Sequence, residues 1–332
     1  MADAASSAIR SGSTAARLGF GCSNLGSDLG YPESCRLIEV AYEAGFRYFD
    51  VAPSYGHGEA ERILGDVLRE VRGEVCLVTK VGIAHPRGAG KLKLAKRMLA
   101  PLKSLMPGLW ARGAGRARRA SAPRGQFGAE QMSASIHESL TRLRTPSIDW
   151  LLLHDVRPSE LAGETLQALE HARSSGQVGG IGLGTSIEDS VAILASHPGR
   201  FGMVQAKHFW AAYGPALASS TPLVTHRAIR DGMEIALAPG FRQWLGKDPS
   251  SVPLWEALDD GGRLPDLLLA AAVATHRAER VLVSSSKPER IRGFVEVANS
   301  AASNELALQL HEIFARYQAE RVMMDGQTVH QI

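Results

Sequence analysis

Four residues of different chemistry recur at intervals that could bring them to one mouth of a repetitive α/β fold: Asp50, Tyr55, Lys80 and His154. A phenol, with a pKa near about 10, keeps its proton at neutral pH and can give it to an oxygen that is becoming an alkoxide. A neighbouring ammonium such as Lys80 makes that donation easier. A carboxylate such as Asp50 holds the lysine charged and in place, and His154 can hydrogen-bond a substrate oxygen. None of the four is a strong nucleophile. The set suits proton donation to a carbonyl while a hydride arrives from elsewhere, which calls for a nicotinamide cofactor. Metal chemistry is not expected, because Cys22, Cys35, Cys76, His57 and His85 show no ligand spacing.

Side chains so far apart in the chain need a scaffold that returns to the same place. Short aliphatic or β-branched runs predict strands at 17–20, 47–50, 75–80, 148–154, 178–184, 203–206, 234–238 and 280–284. Amphipathic runs predict helices at 33–44, 58–71, 129–143, 161–175, 187–196, 216–230, 263–276 and 288–298. Pro32 and Pro288 mark helix starts, and Gly45 and Gly176 mark helix ends. Eight strand–helix pairs indicate an α/β fold of the (β/α)8 TIM-barrel type, whose active sites lie at the C-terminal strand ends. Asp50, Lys80 and His154 end the second, third and fourth strands, and Tyr55 follows Asp50 by five residues. An open doubly wound sheet is the rival, but Gly19-Phe20-Gly21-Cys22-Ser23-Asn24 lacks the third glycine of its dinucleotide fingerprint.

The chain has 332 residues, 45% hydrophobic and 21% charged, enough for one large barrel with an insertion and a tail. The expected division is a flexible segment 1–16, a barrel 17–302 carrying a long insertion 85–128 after the third strand, and a C-terminal helix and tail 303–332. Apolar stretches fall short of the ~18 residues of a membrane span, the first 16 residues lack the apolar run of a secretion signal, and the odd cysteine count suits reduced thiols. A cytoplasmic protein is expected. The net charge of +3 hides an asymmetry: Val81–Ala129 holds eleven Lys and Arg and no acid, while the rest carries 26 basic against 34 acidic residues. Leucines interleave with lysines over 91–110, which could form a cationic amphipathic helix on an anionic membrane. A solvated lid over the barrel mouth is the preferred reading, and nucleic acid is not an expected partner.

The motifs resemble those of the aldo-keto reductase family. Phe49-Asp50-Val51-Ala52-Pro53-Ser54-Tyr55-Gly56-His57-Gly58-Glu59-Ala60-Glu61-Arg62-Ile63-Leu64-Gly65 is similar to its signature, Val78-Thr79-Lys80 to its lysine motif, and Ile148–His154 to its histidine motif. The resemblance implies that Tyr55 donates the proton, that Lys80 and Asp50 tune it, and that His154 orients a small carbonyl or alcohol substrate. It also implies that Gln205 meets the nicotinamide carboxamide, with Thr185 in place of the usual Ser-Asn. Ser284, Ser285, Ser286, Lys287 and Arg290 would hold the adenosine phosphate. Arg290 favours NADPH, with NADH as the second choice. The resemblance places Leu237 where an aromatic stacks after the seventh strand, Ser284 where a lysine is usual, and Phe294 where an asparagine contacts adenine. A regulatory dinucleotide-binding protein of the same fold, slow in turnover, is the alternative function. Oligomeric state, reaction direction and substrate identity are not legible.

Overall fold

The computed structural model describes residues 17–26, 29–83, 124–210, 217, 221–246, 252–275 and 278–329. The expected segment 1–16 and most of the expected insertion 85–128, with its amphipathic stretch 91–110, lie outside the described residues. Eight strands close into a barrel in chain order: β1 (Leu18–Gly21), β2 (Tyr48–Asp50), β3 (Cys76–Val81), β4 (Ile148–His154), β5 (Val178–Gly184), β6 (Met203–Lys207), β7 (Leu223–His226) and β8 (Arg280–Val283). All neighbours are parallel, including β8 with β1, so the architecture is the (β/α)8 barrel. Helices α1 (Tyr31–Glu43), α2 (Glu59–Leu68), α3 (Ala129–Leu143), α4 (Gly163–Ser174) and α5 (Ile187–Ser196) follow the first five strands. Between β7 and β8 lie α6 (Ala228–Ala236), α7 (Pro239–Leu245), α8 (Val252–Asp259) and α9 (Leu264–Thr275). After β8 come α10 (Pro288–Ser300) and α11 (Glu305–Val329).

One expected strand is misplaced. The pattern read as a strand at 234–238 belongs to the end of α6, and the pattern read as a helix at 216–230 contains β7. Pro222 is the physical reason: it has no N–H to give and would clash inside a helix. The Leu-Val-Thr run after it pairs with β6 and β8 instead. Ala228, Gly232 and Ala236, spaced four apart, then form the buried face of α6. Gly232 allows a close approach, because a Cβ there would lie 2.5 Å from Leu268 on α9.

The barrel interior explains where the site must be. Tyr48, Val78, Leu152, Met203, Val224 and Leu282, with Cys76 and Trp150, form one buried apolar cluster. Side chains alternate along a strand, so residues two positions further toward the C-terminal end share the inward face. Those residues are Asp50, Lys80, His154, Gln205, His226 and Ser284. A polar ring thus stands directly above an apolar plug. Strand β5 contributes glycines inside because its neighbours already fill the space: a Cβ on Gly180 would come 2.6 Å from the Trp150 ring, and one on Gly182 2.7 Å from Leu152. Outward residues of β3 bind the helices. Thr79 donates to the buried Glu61 of α2 at 2.8 Å, and Arg142 of α3 pairs with the same carboxylate at 3.1 Å.

Candidate active site

Lys80 and Asp50 are both buried, and Lys80 Nζ donates to Asp50 Oδ1 at 2.5 Å and to the Val51 carbonyl at 3.1 Å. Gln205 Nε2 donates to the same Asp50 oxygen at 2.7 Å. Adjacent strands put these groups in register: Asp50 lies opposite Val78, two residues before Lys80, and Lys80 lies opposite Leu152, two before His154. Tyr55 arrives from a loop. Its N–H bonds to the Ala52 carbonyl at 3.0 Å, opening the short 3-10 turn Tyr55–Gly58. Gly56 makes that turn possible. It sits at φ 55°, where a Cβ would come 2.3 Å from the Leu25 carbonyl oxygen. The Tyr55 ring consequently folds back over the mouth, with Lys80 Nζ 5.3 Å from its centroid and the His154 ring edge-on at 6.4 Å.

The electrostatics sort these groups by proton. Burial pushes the Tyr55 phenol above its ordinary pKa; the charge of Lys80 opposes that rise and Asp50 adds to it, so the hydroxyl keeps its proton at rest. For Lys80, burial acts downward, but the Asp50 carboxylate and the Tyr55 side chain outweigh it and hold the ammonium above its usual range. Burial, then the charges of Lys80, Arg124 and His226, lower His154 to about 3. His226 is lowered to about 4, first by burial, with Asp50 opposing and Lys80 reinforcing. Both imidazoles are neutral at pH 7. A neutral His154 can offer an N–H or a lone pair to a substrate oxygen without adding charge.

These groups form the floor of a cavity of about 670 Å³. Asp50, Tyr55, Lys80, His154, Gln205, Ser284, Ser285 and Arg290 all line it, so most of the expected site residues share one space. Thr185, Ser286 and Lys287 are not among the lining residues. At the end of β5 it is Gly184 that borders the cavity, and Ser186, the residue after Thr185, caps α5 by accepting from Asp189 N–H at 3.1 Å. Ser286 and Lys287 are exposed, and the Lys287 N–H donates to Ser285 Oγ at 3.0 Å. His226, Arg227, Arg230, Asn24 and Asp155 line the cavity and were absent from the sequence-based set. His226 and Arg227 were missed because the seventh strand was misplaced; Pro222 before a Leu-Val-Thr-His run was the available signal. The correction also moves Leu237 away from the end of the seventh strand to the exposed end of α6, and gives that strand end to an imidazole. Asp155, beside His154, is held at φ 54° while its N–H bonds to the Gly184 carbonyl at 3.0 Å. Among the described residues no group of three His, Cys, Asp or Glu is arranged to hold a metal, and no helix is long and apolar enough to cross a membrane.

Comparison with known proteins adds a lineage to this geometry. A family model described as the aldo/keto reductase family matches residues 17–208. A pyridoxal 4-dehydrogenase of Microbacterium luteolum is 30% identical over 194 residues, which are 53% of this chain and 54% of that protein. A D-threo-aldose 1-dehydrogenase of a Pseudomonas species is 32% identical over 182 residues, 52% of this chain and 51% of its own. The chain thus aligns with about half the length of these curated relatives. Among solved structures, the holo form of an aldo-keto reductase from Bacillus halodurans superposes with a TM-score of 0.67 at 18% identity, covering 90% of this chain and 92% of that one. An aldo-keto reductase from Klebsiella pneumoniae, solved with NADP and acetate, gives a TM-score of 0.61 at 18% identity over 90% and 91% of the two chains.

Proposed function

The chain belongs to the aldo/keto reductase family, and on that footing we propose that it is an oxidoreductase that moves a hydride between a nicotinamide dinucleotide and a small carbonyl compound or secondary alcohol. The observation that carries this reading is the buried Lys80–Asp50–Gln205 network beneath the Tyr55 phenol, at the floor of the 670 Å³ cavity.

The lining fits a dinucleotide. Its volume falls in the roughly 300–1,000 Å³ range of small-molecule pockets. Lys80, Arg227, Arg230 and Arg290 line it against Asp50 and Asp155; Arg227, Arg230 and Arg290 also pair with Asp231, Glu234 and Asp266 outside the lining, and these solvent-facing pairs can open to a pyrophosphate. With its amide N–H committed to Asp50, Gln205 has its carbonyl oxygen left to accept from a carboxamide. Ser284, Ser285 and Arg290 stand at the far end, where the adenosine phosphate of NADPH would lie, and NADH is the second choice. Thr185, Ser286 and Lys287 would join only through a shift of their loops, so Gln205, Ser285 and Arg290 are the stronger contacts.

The bound nicotinamide supplies or removes the hydride; the chain manages the proton. In reduction, the Tyr55 hydroxyl donates to the carbonyl oxygen as that oxygen gains negative charge. Lys80 stabilises the phenolate left behind, and Asp50 keeps Lys80 charged and stationary, so no reorganisation is needed when the proton moves. His154, neutral, hydrogen-bonds the substrate oxygen and fixes its direction. In oxidation the same groups act in reverse, with the phenolate accepting the alcohol proton. Asp155 and Asn24 at the cavity wall offer partners to hydroxylated substrates. The curated relatives are named for pyridoxal and an aldose, so pyridoxal, aldoses and their alcohols are the first class to assay. Cys22, Cys35 and Cys76 are free thiols, which supports work in the reducing cytoplasm. The direct test is loss of NADPH absorbance on mixing purified protein with a carbonyl panel. Turnover supports the enzyme; tight dinucleotide binding without turnover of any carbonyl or alcohol would favour the regulatory alternative.

A further inference from the structure

At the far end of the cavity, the chain carries an acid where a phosphate site would want none. Arg290, in the first turn of α10, lays its guanidinium against the Phe294 ring at 5.0 Å and forms an ion pair with Asp266, in the first turn of α9. Arg290 and Phe294 line the cavity, and so does Pro265, the residue before Asp266. The Asp266 side chain is 41% exposed and that of Arg290 29%, so the pair stands at the edge of the cavity, with Arg290 in its lining and Asp266 one residue beyond it.

We propose that Asp266 sets the cofactor preference by competing with a 2′-phosphate for Arg290. The inference rests on the dinucleotide reading above and deepens it. A ribose 2′-hydroxyl is a donor as well as an acceptor, and it can donate to the Asp266 carboxylate while Arg290 stays paired. A 2′-phosphate has charge and acceptors only. It takes the guanidinium from Asp266 and then lies beside a carboxylate that has lost its partner. Attraction to Arg290 and repulsion from Asp266 therefore offset each other for NADPH, whereas NADH meets a partner in Asp266. The pair compresses discrimination, so NADPH stays ahead of NADH by no more than about tenfold in the wild-type chain.

Calorimetric titration of the full chain with NADPH and with NADH tests this. In the wild type the two dissociation constants should agree within about tenfold; a preference for NADPH above about a hundredfold, which a lone Arg290 would give, overturns the proposal without any variant. In Asp266→Asn, NADPH should bind about tenfold tighter, the order expected from removing one charge near a phosphate in a half-exposed site. NADH should bind equally or more weakly there. In Arg290→Ala, NADPH should weaken far more than NADH. Adenosine 2′,5′-bisphosphate and AMP, used as competitors, should show the same Asp266-dependent contrast. If the wild type binds both dinucleotides and Asp266→Asn leaves NADPH affinity within twofold, the role of Asp266 is refuted while the dinucleotide reading stands. If the wild type binds neither, both fall together.

Discussion

Two carboxylate–cation pairs bracket the cavity, and they differ in the property that decides what a pair can do. Lys80 and Asp50, at the floor, have side chains 3% and 6% exposed and share their remaining hydrogen bonds with Val51 and Gln205. Arg290 and Asp266, at the far end, face water and hold each other from two different helices. Breaking a buried pair by removing one partner strands a charge and costs about 3–5 kcal/mol, while an exposed pair contributes about 0–1 kcal/mol. The first pair is thus permanent and the second exchangeable. A fixed ammonium belongs where a proton must move without rearrangement, and an exchangeable one belongs where alternative ligands compete.

The contrast is easiest to break at Lys80. Lys80→Met leaves the buried Asp50 carboxylate with the Gln205 hydrogen bond but no countercharge, and urea denaturation should show a loss of about 3–5 kcal/mol, with carbonyl reduction falling by more than about a hundredfold. A loss below about 1 kcal/mol would put both pairs on the same footing. Gln205→Leu removes a buried hydrogen bond to a carboxylate and should cost about 1.5–3 kcal/mol in the same measurement.

The histidines report how strongly burial, reinforced by the charge of Lys80, disfavours a further cation beside the floor pair. Unfolded imidazoles take protons as pH falls below about 6.5, whereas His154 and His226 in the folded chain resist until about 3 and about 4. Between those values the unfolded state binds more protons, so stability falls as pH falls, by up to about 1.4 kcal/mol per pH unit for each histidine. Above about pH 6.5 neither contributes. His154→Gln should flatten the stability profile between pH 6 and 4 relative to wild type; an unchanged slope would mean that His154 is not held neutral. The smallest effect belongs to the exposed pair: Asp266→Asn should change unfolding free energy by less than about 1 kcal/mol, even where it alters NADPH affinity.

The same contrast separates what the sequence made legible from what it did not. Asp50, Lys80 and His154 end clean aliphatic strands, and Gly56 and Gly58 announce the turn that returns Tyr55, so local patterns suffice to bring the four together. The cofactor wall depends on β7, a strand of only four residues whose Leu-Val-Thr run leads almost directly into the amphipathic pattern of α6. Misplacing it hid His226 and Arg227 and gave Leu237 a position it does not hold. The competition at Arg290 was invisible for another reason. Asp266 sits 24 residues upstream on a different helix, and only the packing of α9 beside α10 makes the two neighbours. Alternation along strands foretells the inward ring of a barrel, but the rim is assembled from helix ends whose partners no period encodes.

The central claim is that Tyr55 gives its proton over a fixed Lys80–Asp50 pair, and single-turnover oxidation of bound NADPH by a carbonyl, in the wild type and in Tyr55→Phe, tests it most directly. The expected result is a variant that binds NADPH within twofold of wild type and reduces the carbonyl about 10²–10⁴-fold more slowly, because only the donated proton has been removed. Hydride transfer retained within tenfold, with NADPH binding intact, would show that the proton comes from another group and would contradict the account.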